Sequence, residues 1–378
     1  MSDISSDVIP SRFRVGCGGL SASLCVMFGT LSLLSVLAFH FPAYLTIPEL
    51  RAGYDIALLR AGLAAIMAAC GALGLYALMK GRIVPASVGL IALTFAALMG
   101  GADTPVGTVH ASPFYIGVDW FVIGLLSTGI VFIALEKAAP LRPDQAVLRR
   151  EWSLDLMHFF IMHLLLGFYL MITHAALTHG LSWARFDTVV TFIQSLPFIA
   201  QFLLIMLSVD LAEYAIHRWY HRGGFGWRIH AVHHSSETMD WLASSRLHLL
   251  EALFTRTASL APIFLLGFDT AVVNSYAMFV GIHATFIHAN VRFDFGWLEY
   301  FFVTPRHHHW HHADEAGAHN TNFAVHFSFI DRMFGTLYMP QNAWPALYGV
   351  SDGEPAPDYI AHLAYPFFPN WAGKRVKA

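Results

Sequence analysis

The stretch His308-His309-Trp310-His311-His312 places four histidines within five residues. The same pattern, H-x-x-H-H, recurs at His230-Ala231-Val232-His233-His234. Residues three and four positions apart lie on one side of a helix, so each stretch predicts a helical face crowded with imidazoles. The chain has 22 histidines in 378 residues, and at that frequency chance gives about 0.07 such patterns per chain. Two patterns therefore indicate a site that requires imidazole.

A third cluster, His217-Arg-Trp-Tyr-His221, follows a long apolar run that contains no helix breaker. We expect the helix of that run to continue into the cluster and to point both rings the same way. Neutral imidazole binds Zn, Fe, Cu and Ni. The three patterns together hold eight imidazoles, those of His217, His221, His230, His233, His234, His308, His311 and His312. One ion cannot take eight ring ligands, so the sequence implies two metal ions.

Carboxylates near these clusters are candidates for orienting the metal ligands. A metal-bound histidine normally donates its second ring N–H to a carboxylate or a carbonyl. Asp210 lies seven residues before His217, at the end of a predicted membrane span where an unpartnered charge is costly. The expected acceptors are Asp210, Glu213, Glu237, Asp240 and Asp331. For Glu213 and Asp240, an ordinary solvated charge explains the sequence equally well.

The composition predicts an all-α, polytopic membrane protein. Hydrophobic residues make up 56% of the chain and charged residues 12%, against about 25% charged in average soluble domains. A net charge of −3 gives no basic surface for nucleic acid, and the three cysteines, all in apolar runs, predict neither a disulfide framework nor a cysteine metal site. A membrane-spanning helix needs about 20 apolar residues. The predicted spans are 17–39, 57–79, 83–101, 114–135, 154–177, 189–209, 252–267 and 270–288.

Two of these predictions carry alternatives. The first run follows Arg12 and Arg14, as a signal peptide would, but its length and the lack of a small-residue cleavage site favour a retained anchor. The pair at 252–288 contains Arg256, Pro262 and Asp269, so a kinked or re-entrant hairpin would also fit.

The orientation follows from Lys and Arg in short loops, which are enriched on the cytoplasmic side. The N-terminal segment and the loops 80–82 and 136–153 together hold eight of these residues, whereas the intervening loops hold two. This bias puts 210–251 and 289–378 inside. The sequence therefore predicts a histidine-rich helical cap, and hence an active site, on the cytoplasmic face.

The chain divides by content into three parts. Residues 1–150 form a four-span membrane region with Gly and Ala stripes suited to helix packing and no recognisable chemistry. Residues 151–340 form a second unit that contains all the histidine clusters, with a motif core at 208–338. Residues 341–378 contain five prolines and predict an irregular tail.

The motif core resembles the fatty acid hydroxylase and sterol desaturase superfamily of membrane-bound histidine-box oxygenases. The resemblance begins with Asp210 and Tyr214 upstream of the first histidine cluster, and Leu249 stands where the superfamily usually has proline. It is carried by the segments His217–His221, Trp227–Glu237, Arg246–Glu251, Phe286–Asn290, Thr304–His312 and Asn322–Thr336.

The resemblance implies a membrane-embedded enzyme with two iron ions bound by the eight histidines above, for which zinc could substitute. It adds His248 and His288 as further candidate ligands. It places His307, His309, His319 and His326 beside the ligands or facing the substrate. The implied activity uses O₂ and external electrons to hydroxylate a lipid acyl or alkyl chain. A sterol or other isoprenoid desaturase or oxidase of the same superfamily is the alternative.

The remaining expectations concern partners and rival classes. The sequence carries no flavin or NAD motif and no fused cytochrome b5 element, so electrons are expected from a separate ferredoxin- or cytochrome b5-type donor with its reductase. A metal transporter or sensor is the non-enzyme alternative, although transporters place their ligands near the bilayer midplane. A zinc hydrolase also fits imidazole ligands, but no nucleophile stands out.

Overall fold

The computed structural model describes residues 18–51, 53–109, 112, 115–341, 343–350 and 355–372. Within these ranges the chain is helical, and its β pairing is limited to two isolated bridges. The all-α prediction is confirmed. Arg12 and Arg14, and the residues at which the first and fourth predicted spans begin, Cys17 and Phe114, lie outside the described residues.

The described residues up to Leu181 form eight α-helices. They are α1 (Gly19–His40), α2 (Pro42–Leu45), α3 (Pro48–Arg51), α4 (Ile56–Met79), α5 (Ile83–Leu98), α6 (Val118–Ala138), α7 (Trp152–Leu164) and α8 (Leu166–Leu181). The rest of the chain holds α9 (Asp187–Gln194), α10 (Phe198–Tyr220), α11 (Gly224–His234), α12 (Leu249–Leu266), α13 (Thr270–His288), α14 (Pro305–His311), α15 (Ser328–Met333), α16 (Tyr359–Ala364) and α17 (Pro369–Ala372).

Six of the described helices are long and apolar enough to cross a membrane: α1, α4, α6, α10, α12 and α13. The predicted span 154–177 is instead two helices, α7 and α8, bent by 53° where they meet. The predicted span 83–101 is the 16-residue helix α5, which is shorter than the roughly 20 residues that a bilayer crossing needs. At 252–288 the chain forms two long helices, and α12 continues through Pro262.

The predicted span 189–209 differs most from the structure. The helix α9 ends at Gln194, and α10 begins only at Phe198, directly after Pro197. Proline lacks the backbone N–H that a continuing helix needs and its ring clashes with the preceding turn, which explains the break. α10 then runs 23 residues without interruption to Tyr220, so the expectation that one helix carries the apolar run into the first histidine cluster is confirmed.

The described residues separate into two compact units. The first takes in the chain up to Ile123 together with His163–Phe168. Within it, α1 and α5 approach closely at two glycines, since a Cβ on Gly29 would lie 2.2 Å from the carbonyl oxygen of Gly89. This close approach explains the stripes of small residues in these helices.

The second unit takes in Gly124–Met162 and the chain from Tyr169 onward. The contacts group the C-terminal part of α6 with the second unit, and the division near residue 150 stays a prediction from sequence content. Glu136 on that part accepts the backbone N–H groups of Trp241 and Asn290. The segment expected to be an irregular tail carries two short helices, α16 and α17.

The core of the second unit lies beneath the histidine clusters. Apolar residues of α10 and α13 pack against the segment around Phe323 and against α15. The fully buried members include Ile205, Val209, Val272, Ile287, Phe323 and Ile330. This core fixes α10 and α13 at the ends that carry histidine.

Candidate metal centre

Three local features aim the histidine clusters at one another. Gly223 and Gly224 both have positive φ values, 87° and 63°, and allow the tight turn that returns α11 against the end of α10. α14 begins with Pro305, and the side chain of Thr304 caps it by accepting the backbone N–H of His307. The turn at Gly223 and Gly224 and the capped start of α14 help to bring clusters that are far apart in sequence into one buried volume.

Nine histidines converge in two groups. In each group, one ring nitrogen from every member lies within 4.8 Å of the corresponding nitrogens of the others. The first group is His217, His221, His230, His234 and His311. The second group is His233, His288, His308 and His312. The two groups contain the eight histidines predicted as ligands, together with His288.

The two H-x-x-H-H helices each contribute to both groups. On α11, the outer pair His230 and His234 belongs to the first group and His233 to the second. On α14, the outer pair His308 and His312 belongs to the second group and His311 to the first. Adjacent helical residues point about 100° apart, whereas residues four apart point the same way. Neighbouring histidines therefore serve different groups.

Backbone acceptors fix the ring protonation in the first group. The Nδ1 atoms of His217 and His311 lie 2.8 Å from the carbonyl oxygens of Phe323 and Thr321, respectively. A carbonyl can only accept, so each Nδ1 carries the proton and each Nε2 presents a lone pair. These two Nε2 atoms lie 2.9 Å apart, and Nε2 of His230 lies 3.0 Å from that of His217. Converging lone pairs of this kind repel unless a cation lies between them.

The second group follows the same rule. The Nδ1 atom of His288 lies 2.7 Å from the carbonyl one turn earlier in α13, and Nδ1 of His233 lies 3.1 Å from the carbonyl of Arg246. Their Nε2 atoms, 3.2 Å apart, therefore face each other as lone pairs. Nε2 of His308 lies 3.0 Å from that of His288 and 3.1 Å from that of His312. In both groups, ring nitrogens thus surround a position at which they could bind a cation.

Burial keeps these rings neutral. Desolvation is the largest cause that holds their pKa values well below the ordinary histidine value, and in most of them repulsion from neighbouring imidazoles comes next. The histidines with pKa values lowered in this way are His221, His230, His233, His234, His308, His311 and His312. Neutral imidazole is the form that binds metal. The all-nitrogen donor set fits two transition-metal ions such as iron or zinc.

Asp210 has a different role from the one expected. Its carboxylate accepts the backbone N–H groups of Val325, His326 and Phe327 at 2.7, 3.1 and 2.6 Å, instead of a ring N–H from its own helix. The same segment supplies the carbonyl of Phe323 that holds His217. Asp210 therefore acts on the first group through the backbone that orients a ligand.

Asp331 and His307 form a buried pair next to this segment. His307 Nε2 lies 3.2 Å from Asp331 Oδ2, and both side chains are fully buried. Asp331 also accepts the backbone N–H groups of Phe323 and Ala324 at 2.7 and 2.9 Å. Burial raises the pKa of Asp331, but the neighbouring His307 first, and then the bonds from Ala324 and Thr336, outweigh this cost and lower the pKa below its ordinary value. Asp331 and Asp210 together fix the chain on both sides of the carbonyl that receives the His217 proton.

The other predicted carboxylates lie away from the histidine rings. Glu237 is half exposed and lies 3.7 Å from Arg150. Asp240 pairs with Arg149 at 2.7 Å, and Glu213 accepts a hydrogen bond from Ser259.

Glu251 is the carboxylate that the sequence analysis did not select. Its Oε1 lies 2.7 Å from Nδ1 of His230, and both side chains are buried. Carboxylates that hold the outer nitrogen of a metal-binding histidine orient the ring and raise its basicity. The available signal was its position in the segment Arg246–Glu251, which the resemblance already included.

The remaining candidate histidines have other partners. His248 accepts the N–H of Leu250 through Nδ1 and lies 3.2 Å from the carbonyl of Leu363 through Nε2, so it belongs to neither group. His309, His319 and His326 contact Tyr348, Asp314 and Tyr276, respectively.

Comparison with known proteins gives a family for this part of the chain. The family model for fatty acid hydroxylases matches residues 202–336, the segment that holds all nine histidines. Ornithine lipid hydroxylase OlsE of Rhizobium tropici is 30% identical over 174 residues, which is 45% of this chain and 51% of that protein. Human alkylglycerol monooxygenase is 30% identical over 131 residues, 35% of this chain and 29% of the relative.

A third relative, methylsterol monooxygenase 1-3 of Arabidopsis thaliana, is 29% identical over 148 residues, 36% of this chain and 48% of that protein. The chain thus spans about half the length, or less, of the curated relatives it matches. No solved structure gives a significant match. The family match at residues 202–336 is thus to the fatty acid hydroxylase family, and it covers the part of the chain that holds both histidine groups.

Proposed function

We propose that this chain is a membrane-bound oxygenase that holds two iron ions in its two histidine groups and hydroxylates the acyl or alkyl chain of a lipid. The observation that carries the proposal is the convergence of ring lone pairs. His217 and His311 both give their Nδ1 protons to backbone carbonyls, and their Nε2 atoms then meet at 2.9 Å. The two groups, with five and four histidines, provide enough ring nitrogens to bind two ions.

The substrate class is inferred from the relatives and from the membrane helices. The relatives are named for hydroxylation or monooxygenation of ornithine lipid, alkylglycerol and methylsterol, all of them lipids. The histidine groups lie at the ends of α10 and α13, two helices that can cross a membrane. A substrate dissolved in the bilayer would reach a site at the ends of these helices without crossing water.

Bound iron would supply the oxidising chemistry that, with O₂ and electrons, breaks an unactivated C–H bond. The residues of the chain hold and orient this centre. Glu251 fixes the His230 ring, and Asp210 and Asp331 fix the backbone carbonyl that orients His217. Burial of His230, His234, His308 and His312, each at most 5% exposed, excludes bulk water from the centre. Exclusion of water limits wasteful side reactions.

The second candidate function is oxidation of a sterol or another isoprenoid. The similarity to methylsterol monooxygenase 1-3 favours it, and the same ligand set would serve. Hydroxylation of a chain remains the first choice over desaturation, because the relatives are named hydroxylase and monooxygenase. We further propose that the centre faces the cytoplasm and receives electrons from a separate carrier protein.

Metal analysis combined with labelled oxygen tests the proposal. The purified protein should contain close to two metal ions per chain, and iron should restore activity after zinc is removed. Incubation with ¹⁸O₂, a reductant and total lipid extract should leave one labelled oxygen in a lipid, detected by mass spectrometry. Loss of two mass units without label would indicate desaturation instead.

A pair of variants controls for folding. His311→Ala should abolish labelling and lower the metal content, because His311 lies between His217 and His234 in the first group. His179→Ala, at an exposed histidine outside both groups, should change neither. An active His311→Ala protein would contradict the proposed site.

A further inference from the structure

We propose that an acidic one-electron carrier protein docks on the exposed surface around Phe334, and that its electrons reach the first histidine group through Tyr214 and Phe323. We call this surface the Phe334 face and define it by Arg218, Arg222, Arg332, Met333 and Phe334. The inference rests on the proposed function, since only a redox-active centre requires electrons.

A chain of aromatic rings leads from the Phe334 face to the histidines. Phe334 is 50% exposed, and its ring stacks on Tyr214 with a centroid distance of 4.9 Å. The buried Tyr214 ring meets Phe323 edge-on at 5.9 Å. The Phe323 ring in turn lies 5.6 Å from His217 and 5.1 Å from His221. Two buried side chains thus separate an exposed ring from the first group.

The last step of this path also contains a direct hydrogen bond. Phe323 touches the first group with its ring and accepts the Nδ1 proton of His217 through its carbonyl oxygen at 2.8 Å. Tyr214 is held in line by two bonds of its hydroxyl, to Thr336 at 2.9 Å and to the guanidinium of Arg218 at 3.1 Å. Hydrogen bonds therefore hold both Tyr214 and the His217 end of the path in place.

Positive charge surrounds the exposed end of the path. Arg222 and Arg332 are exposed and Arg218 is half-buried, and the guanidinium of Arg332 lies over the ring of Tyr300 at 4.7 Å. Two carboxylates on the same helices as Arg218 and Arg332 do not neutralise this charge at the surface. Asp331 follows Ile330 on α15 but turns inward to backbone N–H groups, and Asp210 does the same. The Phe334 face consequently presents basic groups to solvent.

An apolar contact is available inside the basic rim. Met333 is 71% exposed beside Phe334. A groove of about 360 Å³ adjoins them, lined by Leu211, Tyr214, Ala215, Arg218, Arg222 and Phe334. A small apolar centre with a charged rim is the composition of transient protein interfaces. Electron-transfer complexes are typically small, below about 1,200 Å² of buried surface, and opposite charges speed their encounter.

The step is a one-electron transfer. The reduced carrier loses one electron and the metal centre gains it. Each hydroxylation consumes two electrons and two protons with one O₂ and forms water beside the hydroxylated product. An acidic carrier fits because its charge is opposite to that of the three arginines.

Binding measurements test the docking without any need for metal. The full chain is placed in nanodiscs, and the affinity of two oxidised probes, a plant-type [2Fe–2S] ferredoxin and a soluble cytochrome b5 domain, is measured by surface plasmon resonance at low and high salt. Arg222→Ala combined with Arg332→Ala should raise the Kd of the bound carrier about 10-fold and flatten its salt dependence, as loss of rim charges does. Arg292→Ala, which removes the same charge at an exposed site off this face, should leave the Kd unchanged.

A second variant tests the ring path separately from binding. Phe334→Leu keeps apolar bulk but removes the ring. At saturating carrier concentration, where differences in affinity no longer matter, the iron-loaded variant should slow reduction of the centre by the carrier about 10-fold in stopped flow. Reduction by dithionite, which needs no docking, should be unaffected.

Each contrary outcome has a defined meaning. The docking proposal is overturned if neither carrier binds the wild type, or if the double arginine variant binds as tightly as the wild type. Absence of oxygen incorporation with dithionite in the iron-loaded wild type would contradict the proposed function and leave the binding result intact.

Discussion

Nδ1 of His230 lies 2.7 Å from Oε1 of Glu251, and both residues are 3% exposed. This pair joins α11 to the first turn of α12 and points Nε2 of His230 at the rest of the first group. Because the carboxylate is buried, its bond to the ring is not screened by water.

We expect Glu251→Ala to weaken metal retention about 10- to 100-fold, the usual effect of removing an outer partner of a metal-binding histidine. Competition with a chelator, followed by metal analysis, measures this. Glu237→Ala is the matched control, because Glu237 is half exposed and lies next to Arg150. Equal metal loss in both variants would show that Glu251 has no special role.

Alanine variants of His288 and His248 should differ in metal content in the same assay. His288 is one of four members of the second group, whereas both ring nitrogens of His248 have backbone partners. His288→Ala should therefore lower the metal content towards one ion per chain, and His248→Ala should leave it near two. Two ions in the His288→Ala protein would remove His288 from the centre.

Asp210 variants should affect folding as well as metal binding. Asp210→Ala leaves three buried N–H groups without their acceptor, at a cost of about 1–3 kcal/mol for each unsatisfied group. We expect a lower melting temperature even in metal-free protein, together with weaker metal retention. Glu251→Ala should lower the melting temperature mainly in the metal-loaded form. A metal-free Asp210→Ala protein as stable as the wild type would refute this assignment.

A buried network of ion pairs should be as sensitive to substitution as the contacts of Asp210. Asp155 is fully buried between Arg149, at 2.6 Å, and Arg246. Removing one partner from a buried charge network typically costs about 3–5 kcal/mol, so Asp155→Ala should unfold at a markedly lower temperature in detergent. The carbonyl of Arg246 holds the His233 ring, and metal should be lost from the second group first. Arg150→Ala, at a largely exposed arginine, serves as the control.

Reporter fusions test the orientation. Fusions at residues 146 and 378 should be cytoplasmic, and a fusion at 182 external, as the loop charges predict. An external C-terminus together with a cytoplasmic residue 146 would contradict the predicted cap.

The sequence was sufficient for features that depend on local spacing. Helical periodicity and apolar runs predicted the convergence of the histidine clusters, the continuation of α10 to Tyr220 and most membrane helices. The sequence also contains the signal for the break, because a proline such as Pro197 disfavours a continuous helix. The apolar residues on both sides of it nevertheless led to one predicted span at 189–209.

The features that the sequence could not supply depend on tertiary contact. Asp210 and Glu251 are both single carboxylates near a histidine cluster, and no local pattern shows that one binds backbone amides and the other a ring. The assignment of His288 to the second group required the packing of α13 against α14. Such pairings depend on where helices cross, which spacing along one helix does not encode.

The sharing of α11 and α14 between the two histidine groups limits how the protein can be assembled. Since each helix supplies both groups, neither half of the centre exists as a separable module. A chain that lacks α14 loses His311 from one group and His308 and His312 from the other, so no truncation can leave one intact site behind. The pair of sites is formed or lost as one unit, and the geometry of two short helices sets both at once.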